Sequence, residues 1–145
     1  MKRHCLALLP ALILPWSMTA SAAGNAIGTD LIRWLDSDTA SLVYQRALTR
    51  VSAVQLQFGY NDSNNISIGA GYKAYTGGYH SSVFYQAGGT VYGRQDDTNL
   101  GLSIEIGYER SPARNVVAFG SVKAEYQSLT EVFTYEPTLG VMLAF

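Results

Sequence analysis

Residues 100–109, LGLSIEIGYE, alternate strictly between large apolar side chains and small or polar ones. The apolar positions are Leu100, Leu102, Ile104, Ile106 and Tyr108, and glycine, serine and glutamate fill the positions between them. Successive side chains of a β-strand point to opposite faces, whereas an α-helix repeats every 3.6 residues. The pattern therefore predicts a strand with one apolar face and one polar face.

The same alternation recurs along the chain and is interrupted by turn-like breaks about every ten to fifteen residues. It predicts eight strands, at residues 26–35, 39–48, 51–60, 65–75, 79–94, 100–109, 115–127 and 132–145. The connections between these strands are short, and short connections join antiparallel neighbours. The sequence thus predicts an all-β fold, an eight-stranded antiparallel up-and-down barrel.

The first 23 residues form a separate segment. A short basic start, MKRH, precedes the apolar run CLALLPALILPW and the small residues of SMTASAAG. The apolar run is shorter than the roughly 20 residues that a membrane-spanning helix needs. This arrangement predicts a signal peptide at residues 1–23, cleaved after Ala22 or Ala23, and an exported domain at residues 24–145.

Cysteine usage and charge narrow the function classes. The one cysteine, Cys5, lies in the predicted signal peptide, so the exported domain forms no disulfide. Without Lys2 and Arg3 the formal net charge changes from −1 to about −3. Because nucleic-acid binding needs a basic patch, we expect no nucleic-acid partner. The sequence also lacks a cysteine and histidine spacing typical of metal sites, and we expect no metal or cofactor.

The alternation alone fits either a membrane barrel with an apolar exterior or a soluble, lipocalin-like barrel of the periplasm with an apolar interior. The polar faces are rich in glycine, serine and glutamine and carry single charges, which favours the narrow lumen of a membrane barrel. We expect an ion-pair network in this lumen, formed by Lys73, Glu105, Lys123, Glu125 and Glu136. Tyrosines near the strand ends predict an aromatic girdle at the membrane interfaces, formed by Tyr44, Tyr60, Tyr72, Tyr108 and Tyr126.

The backbone adds a second condition. In lipid every N–H and C=O group needs a partner, so a transmembrane sheet has no open edge. We therefore expect the first strand to pair with the eighth and to close a transmembrane β-barrel.

The signal peptide, the eight short alternating strands, the tyrosines and the C-terminal Phe145 resemble the small eight-stranded outer-membrane β-barrels of Gram-negative bacteria, the OmpA/OmpX-like superfamily. The resemblance covers the whole exported chain and implies an outer-membrane location, among membrane lipids and lipopolysaccharide. In that superfamily the barrel assembly machinery reads a last strand with alternating apolar residues and a terminal aromatic. The residues that match this assembly signal are Tyr135, Leu139, Val141, Leu143 and Phe145.

The resemblance implies a structural or membrane-interaction role, and we expect no open pore because eight strands enclose too little space for a channel. With both termini in the periplasm, the outer connections carry most of the acidic loop residues. Their carboxylates suit contact with lipopolysaccharide phosphates through divalent cations. These residues are Asp36, Asp38, Asp62, Asp96, Asp97 and Glu131.

A lipid A-modifying enzyme is the alternative, since some barrels of this kind remove or transfer acyl chains. Such chemistry needs a nucleophile beside a base. The one histidine after the leader, His80, is followed by Ser81 and Ser82. Because Gly77 and Gly78 precede it, we expect His80 to lie in a turn on the periplasmic rim, and we assign no catalytic residue.

Overall fold

The computed structural model describes residues 24–36, 38–61, 63, 65–94, 97–128 and 130–145. The expected signal peptide, residues 1–23, and the loop residues Asp62 and Asp96 lie outside this part. The described chain forms eight strands and one short helix, in the order β1 (Asn25–Asp30), α1 (Leu31–Asp36), β2 (Thr39–Thr49), β3 (Ser52–Asn61), β4 (Ile66–Tyr75), β5 (Val83–Arg94), β6 (Asp97–Ala113), β7 (Val116–Gln127) and β8 (Val132–Ala144).

The strands form one closed barrel in chain order, every neighbouring pair is antiparallel, and β1 pairs with β8. One end of the barrel holds Gly24, Phe145 and the β2–β3, β4–β5 and β6–β7 connections, and we call it the termini end. The other end holds α1 and the β3–β4, β5–β6 and β7–β8 connections, and we call it the helix end. The predicted all-β, up-and-down, eight-stranded architecture is confirmed.

The strand registers fix the tilt of the strands. A row of paired residues that begins at Tyr135 in β8 passes through every strand to Asn25 in β1, which lies opposite Phe145. One circuit of the barrel therefore advances ten residues along the chain, from position 135 to position 145. With a rise of about 3.3 Å per residue and about 4.8 Å between strands, this stagger tilts the strands by about 40° from the barrel axis.

The polar faces of the strands point into the barrel and the apolar faces point outward. In β6, Ile104 is 68 % exposed, whereas Gly101 and Glu109 are buried. The interior holds two small apolar clusters, both toward the termini end by the strand registers. One consists of Ala26, Val43, Val117, Phe119, Met142 and Ala144, and the other of Ala53, Tyr75 and Phe84 with Tyr79 packed against it. These clusters pack the lumen near the termini end, where buried polar side chains such as Lys73 and Glu109 lie beside them.

The predicted first strand, residues 26–35, is wrong in its second half. β1 ends at Asp30, and the next six residues form α1. The Asp30 carboxylate causes the change, because its Oδ1 accepts hydrogen bonds from the N–H groups of Ile32 (3.0 Å) and Arg33 (3.4 Å). An aspartate at this position satisfies N–H groups that have no partner within the helix.

Because β1 is short, the wall between β8 and β2 is incomplete toward the helix end. β1 pairs with β8 as far as Gly140 and with β2 as far as Val43. Beyond these residues, α1 packs between the edges of β8 and β2. We call this interruption of the hydrogen-bond ladder the wall gap.

The sequence of β8 matches the wall gap. Alternate N–H groups of β8 point toward β1, as in Phe145, which donates to the Asn25 carbonyl. By the same alternation positions 139 and 137 face the gap. The Leu139 N–H contacts Asp30 Oδ1 (3.5 Å), and Pro137 has no N–H to satisfy. The edge of β8 therefore leaves fewer unpaired donors at the gap than an ordinary strand would.

Side chains also end the ladder on the β2 edge. Thr29 Oγ1 donates to the Ser41 carbonyl (2.7 Å), and Ser41 Oγ accepts from the Asp30 N–H (2.9 Å). These contacts replace the backbone pairs that a longer β1 would make. Contacts with both neighbouring strands, β8 and β2, therefore determine where β1 ends.

The fifth strand begins later than expected. β5 starts at Val83, whereas the prediction started it at residue 79, and residues 79–82 form part of the preceding turn. His80 has a φ of 61°, in the left-handed region that strands exclude. In the sequence, Tyr79 and His80 continue the alternation of the fifth strand, but their backbone forms part of the turn.

Replacing Asp30 by alanine removes three contacts, two that cap α1 and one to the Leu139 N–H. We expect the free energy of unfolding to fall by about 1–2 kcal/mol. Asp36→Ala, at the exposed end of the same helix, is the control and should change it by less than about 0.5 kcal/mol. Urea titrations of the folded protein, followed by circular dichroism and Trp34 fluorescence, measure both. Equal losses in the two variants would contradict the capping role.

Candidate functional site

One group of deeply buried charged and polar side chains, the Glu109 cluster, consists of Gln45, Lys73, Tyr75, His80 and Glu109. The Glu109 carboxylate is 0 % exposed. Its Oε1 accepts a hydrogen bond from Lys73 Nζ (2.7 Å), and its Oε2 accepts from the Tyr75 hydroxyl and His80 Nδ1 (2.9 Å each). Gln45 accepts from Lys73 Nζ (2.9 Å) and donates to the Tyr75 hydroxyl (2.6 Å). The buried carboxylate thus has both an opposite charge and hydrogen-bond donors, as a buried charge requires.

Aromatic rings pack around this cluster. Lys73 Nζ lies 4.0 Å from the centroid of the Phe84 ring, a cation–π contact. The rings of Tyr75 and Tyr79 meet edge to face with centroids 5.5 Å apart. Burial raises the pKa of Tyr79, which lies in the turn before β5, to about 12. The Tyr79 phenol is therefore neutral at physiological pH and adds no charge beside Glu109.

His80 reaches the cluster from the turn. It is 6 % exposed, and because its Nδ1 faces the Glu109 carboxylate, that nitrogen donates. Its Nε2 is buried and has no hydrogen-bond partner among the described residues. The hydroxyls of Ser81 and Ser82 donate to the Gly78 carbonyl (3.5 and 2.9 Å) instead of the imidazole. The histidine and serines that adjoin in sequence therefore do not form the hydrogen bond of a nucleophile and its base.

A second group, the mouth cluster, lies toward the helix end and consists of Arg33, Tyr92, Lys123, Glu125 and Glu136. Glu136 Oε2 accepts from Arg33 Nη2 and from Lys123 Nζ (3.0 Å each). Lys123 also donates to Glu125 Oε2 (3.0 Å), whose other oxygen accepts from the Tyr92 hydroxyl (2.5 Å). Two cations thus face two carboxylates, and the ion pair of Arg33 ties α1 to β8.

The five residues expected to share one lumen network lie in three places. Lys123, Glu125 and Glu136 come together in the mouth cluster. Lys73 belongs to the Glu109 cluster, and Glu105 accepts a hydrogen bond from a serine of β7. Because the strands are tilted, inward positions of neighbouring strands lie at different levels of the barrel.

Sequence reasoning missed five members of these clusters: Arg33, Tyr75, His80, Tyr92 and Glu109. A signal for Glu109 was present, because it shares the inward alternation of Glu105 in LGLSIEIGYE. Arg33 lies in the segment that was expected to be a strand, and it reaches the lumen because α1 carries it there. Gly77 and Gly78 predicted the turn at His80, but no sequence signal indicated that its imidazole contacts Glu109.

The tyrosines expected at the membrane interfaces fall at two levels. All lie on the outward alternation of their strands, and Tyr85 and Tyr135 share it. The registers place one set near the termini end and another about 15 Å higher along the barrel axis, given the strand rise and tilt. The lower set is Tyr44, Tyr72, Tyr85 and Tyr108, and the upper set is Tyr60, Tyr126 and Tyr135.

The residues expected to form the assembly signal share the outward side of the last strand. Tyr135 is 74 % exposed, and the other four are each about half exposed: Leu139, Val141, Leu143 and Phe145. Phe145 directly follows β8 and exchanges two backbone hydrogen bonds with Asn25 of β1. The stripe therefore runs along the strand that closes the barrel.

An open cavity of about 310 Å³, the mouth cavity, lies at the helix end beside the mouth cluster. Arg33, Ser67, Tyr92 and Glu136 line it from the lumen, and Asn65 lines it from the β3–β4 connection. Its lining also includes Tyr135 and Pro137, on the outward alternation of β8.

Among the residues that the structure describes, no group of three or more histidine, cysteine, aspartate or glutamate side chains is arranged to hold a metal ion. Of the acidic residues expected at the outer rim, four are described, and they are distributed over three connections at the helix end: Asp36, Asp38, Asp97 and Glu131. The described part of the chain contains no helix with the length and apolar character needed to cross a membrane.

Comparisons with protein-family models, curated proteins and solved structures find no match for this chain.

Removing one partner of the Lys73–Glu109 pair leaves a buried charge without compensation. We expect Lys73→Met and Glu109→Gln each to lower the free energy of unfolding by about 3–5 kcal/mol. The double variant should lose clearly less than the sum, because neither charge then remains unpaired. Urea titrations of all four proteins measure the coupling, and Glu131→Gln, at an exposed position, is the control. Strictly additive losses would show that the pair does not act as a unit.

Proposed function

We propose that this chain is an integral β-barrel of the outer membrane of a Gram-negative bacterium, without an open pore and with a structural or membrane-lipid-binding role. The observation that carries the proposal is the outward surface of the strands. Large apolar side chains that are about 40–70 % exposed project from all eight strands. Soluble monomers rarely expose continuous apolar patches beyond a few hundred Å². A belt around a closed barrel suits lipid as its surroundings.

The direction of the apolar faces supports the membrane barrel over the soluble alternative. A soluble barrel buries its apolar faces and shows its polar faces to water. Here the buried interior holds ionised side chains such as Lys73 and Glu109, and the exterior holds residues such as Leu102 and Ile104. We call the exposed band that includes these exterior residues the apolar belt.

The two tyrosine levels also support this proposal. Tyrosine is enriched where a barrel surface passes from hydrocarbon to head groups. The lower and upper sets are about 15 Å apart along the axis, and apolar side chains lie between and just beyond them. Because this spacing is less than the height of a typical outer-membrane apolar band, about 25 Å, the tyrosines lie inside the two edges of the belt.

The packed lumen supports the absence of a pore. Phe84, Phe119 and Met142 are buried in the interior near the termini end, and the Glu109 cluster lies beside them. Toward the helix end, the mouth cluster joins α1, β7 and β8 through ion pairs. Ions would have to displace both groups to cross.

The partners that follow from the proposal are outer-membrane lipids, lipopolysaccharide and, during biogenesis, the barrel assembly machinery. The resemblance to the OmpA/OmpX-like superfamily rests on the strand pattern, and the closed eight-stranded barrel is consistent with it. The outward apolar stripe of β8, which ends at Phe145, supports the role of the last strand as the assembly signal.

A charge placed in the middle of the apolar belt tests whether lipid or water surrounds the belt. Ile104→Lys should lower the free energy of unfolding in lipid vesicles by about 2–4 kcal/mol and reduce the heat-modifiable folded band on gels. Thr98→Lys, on the same outward alternation of β6 but near the helix end, is the matched control and should have little effect. If Ile104→Lys folded in buffer without detergent and kept full stability, the membrane proposal would fail.

A further inference from the structure

The mouth cavity lies beside the edge of β8. Arg33, Tyr92 and Glu136 line it, and Tyr135 and Pro137, the neighbours of Glu136 in β8, belong to the same lining. On this side β8 pairs with β1 only as far as Gly140, so toward the helix end α1, and not a hydrogen-bonded strand, separates the cavity from the outer surface. A displacement of α1 would therefore open the mouth cavity sideways.

This side opening lies within the apolar belt. Pro137 is the register partner of Val122, an outward residue of β7 that is 51 % exposed. The most exposed apolar side chains near the gap are Leu35 of α1 and Phe133 and Tyr135 of β8, at 87 %, 65 % and 74 %. In the proposed membrane position, the opening would face hydrocarbon and not water.

The size and lining of the cavity indicate which part of a lipid would fit. A volume of about 310 Å³ equals about ten water molecules at about 30 Å³ each, enough for a head group but not for a whole lipid. The inner lining offers hydrogen-bonding side chains, among them Asn61, Asn65, Ser67 and Tyr92. The acyl chains would remain outside, against the apolar surface of β8.

The charge of the mouth cluster indicates the class of head group. Arg33 and Lys123 balance Glu125 and Glu136, and Asp36 adds one carboxylate to the lining of the cavity, so an anionic ligand would add uncompensated negative charge to a partly buried site. A zwitterionic head group keeps the balance and offers both donors and an anionic acceptor.

We propose that the mouth cavity binds the head group of one zwitterionic phospholipid, which enters from the membrane through the wall gap. This inference rests on the proposed function, because it needs lipid at the level of the gap. α1 then acts as the flexible part of the wall. It is held by the Arg33–Glu136 ion pair and the Asp30 cap, whereas a longer β1 would be held by backbone hydrogen bonds to both neighbouring strands.

The test uses the folded chain in nanodiscs that contain equal amounts of phosphatidylethanolamine and phosphatidylglycerol. After gentle detergent release, native mass spectrometry counts the lipids that stay bound. We expect one phosphatidylethanolamine per barrel, retained about ten-fold over phosphatidylglycerol. Equal retention of the two lipids would show annular lipid only and would overturn the inference.

Two variants test the location. Asn65→Trp fills the cavity from the β3–β4 connection and should lower retention of phosphatidylethanolamine about ten-fold. Ser63→Trp, the same change at an exposed position of the same connection, should leave retention unchanged. Equal retention in these two variants would overturn the inference.

Glu136→Gln gives an independent readout, because it leaves the mouth cluster with one excess positive charge. It should shift the preference toward phosphatidylglycerol, and an unchanged ratio would contradict the charge argument. The heat-modifiable band establishes that each variant is folded. A wild-type chain that failed to enter nanodiscs would contradict the proposed function, whereas one that entered but retained no phosphatidylethanolamine would contradict only this inference.

Discussion

The hydrogen bonds between β1 and β8 are the constraint on which the rest of the molecule depends. They join Ala26–Asp30 to Gly140–Ala144, five register pairs in all, and turn an eight-stranded sheet into a barrel. Without them both edge strands would present unpaired backbone groups along their whole length. With them the stagger, the strand tilt and the inward or outward direction of every side chain are set. Because β1 is only six residues long, this closure also leaves the wall gap that α1 fills.

The second consequence of closure is an interior where charge must be compensated within a few ångströms. Glu109 has Lys73, Tyr75 and His80 as partners, and Glu136 has Arg33 and Lys123. Such buried pairs contribute little net stability compared with apolar packing, but breaking one of them is strongly unfavourable. The two clusters therefore specify how neighbouring strands meet and keep the lumen filled. Of the two clusters, the mouth cluster is the one that lies beside the wall gap and borders the mouth cavity.

The period-two pattern was enough to predict the number of strands, their order and their antiparallel pairing, because each strand has one apolar and one polar face. The pattern does not reveal where a strand changes into a helix. Residues 31–36 form α1 because Asp30 caps the helix and because β8 offers no ladder partners there. The cap is local in sequence, whereas β8 lies more than 100 residues away. The same limit applies to the interior. Inward alternation identifies Lys73, Glu109 and Glu125 as lumen residues, but only the register and tilt decide which of them meet.

The central claim is that lipid surrounds the apolar belt, and the depth-dependent quenching of tryptophan fluorescence measures it most directly. In a Trp34→Phe background, Ile104→Trp places the indole in the middle of the belt, and Thr130→Trp places it in the exposed β7–β8 turn. In vesicles whose acyl chains carry bromine, the account predicts strong quenching for Ile104→Trp and weak quenching for Thr130→Trp. Equal and weak quenching in both folded variants would contradict it.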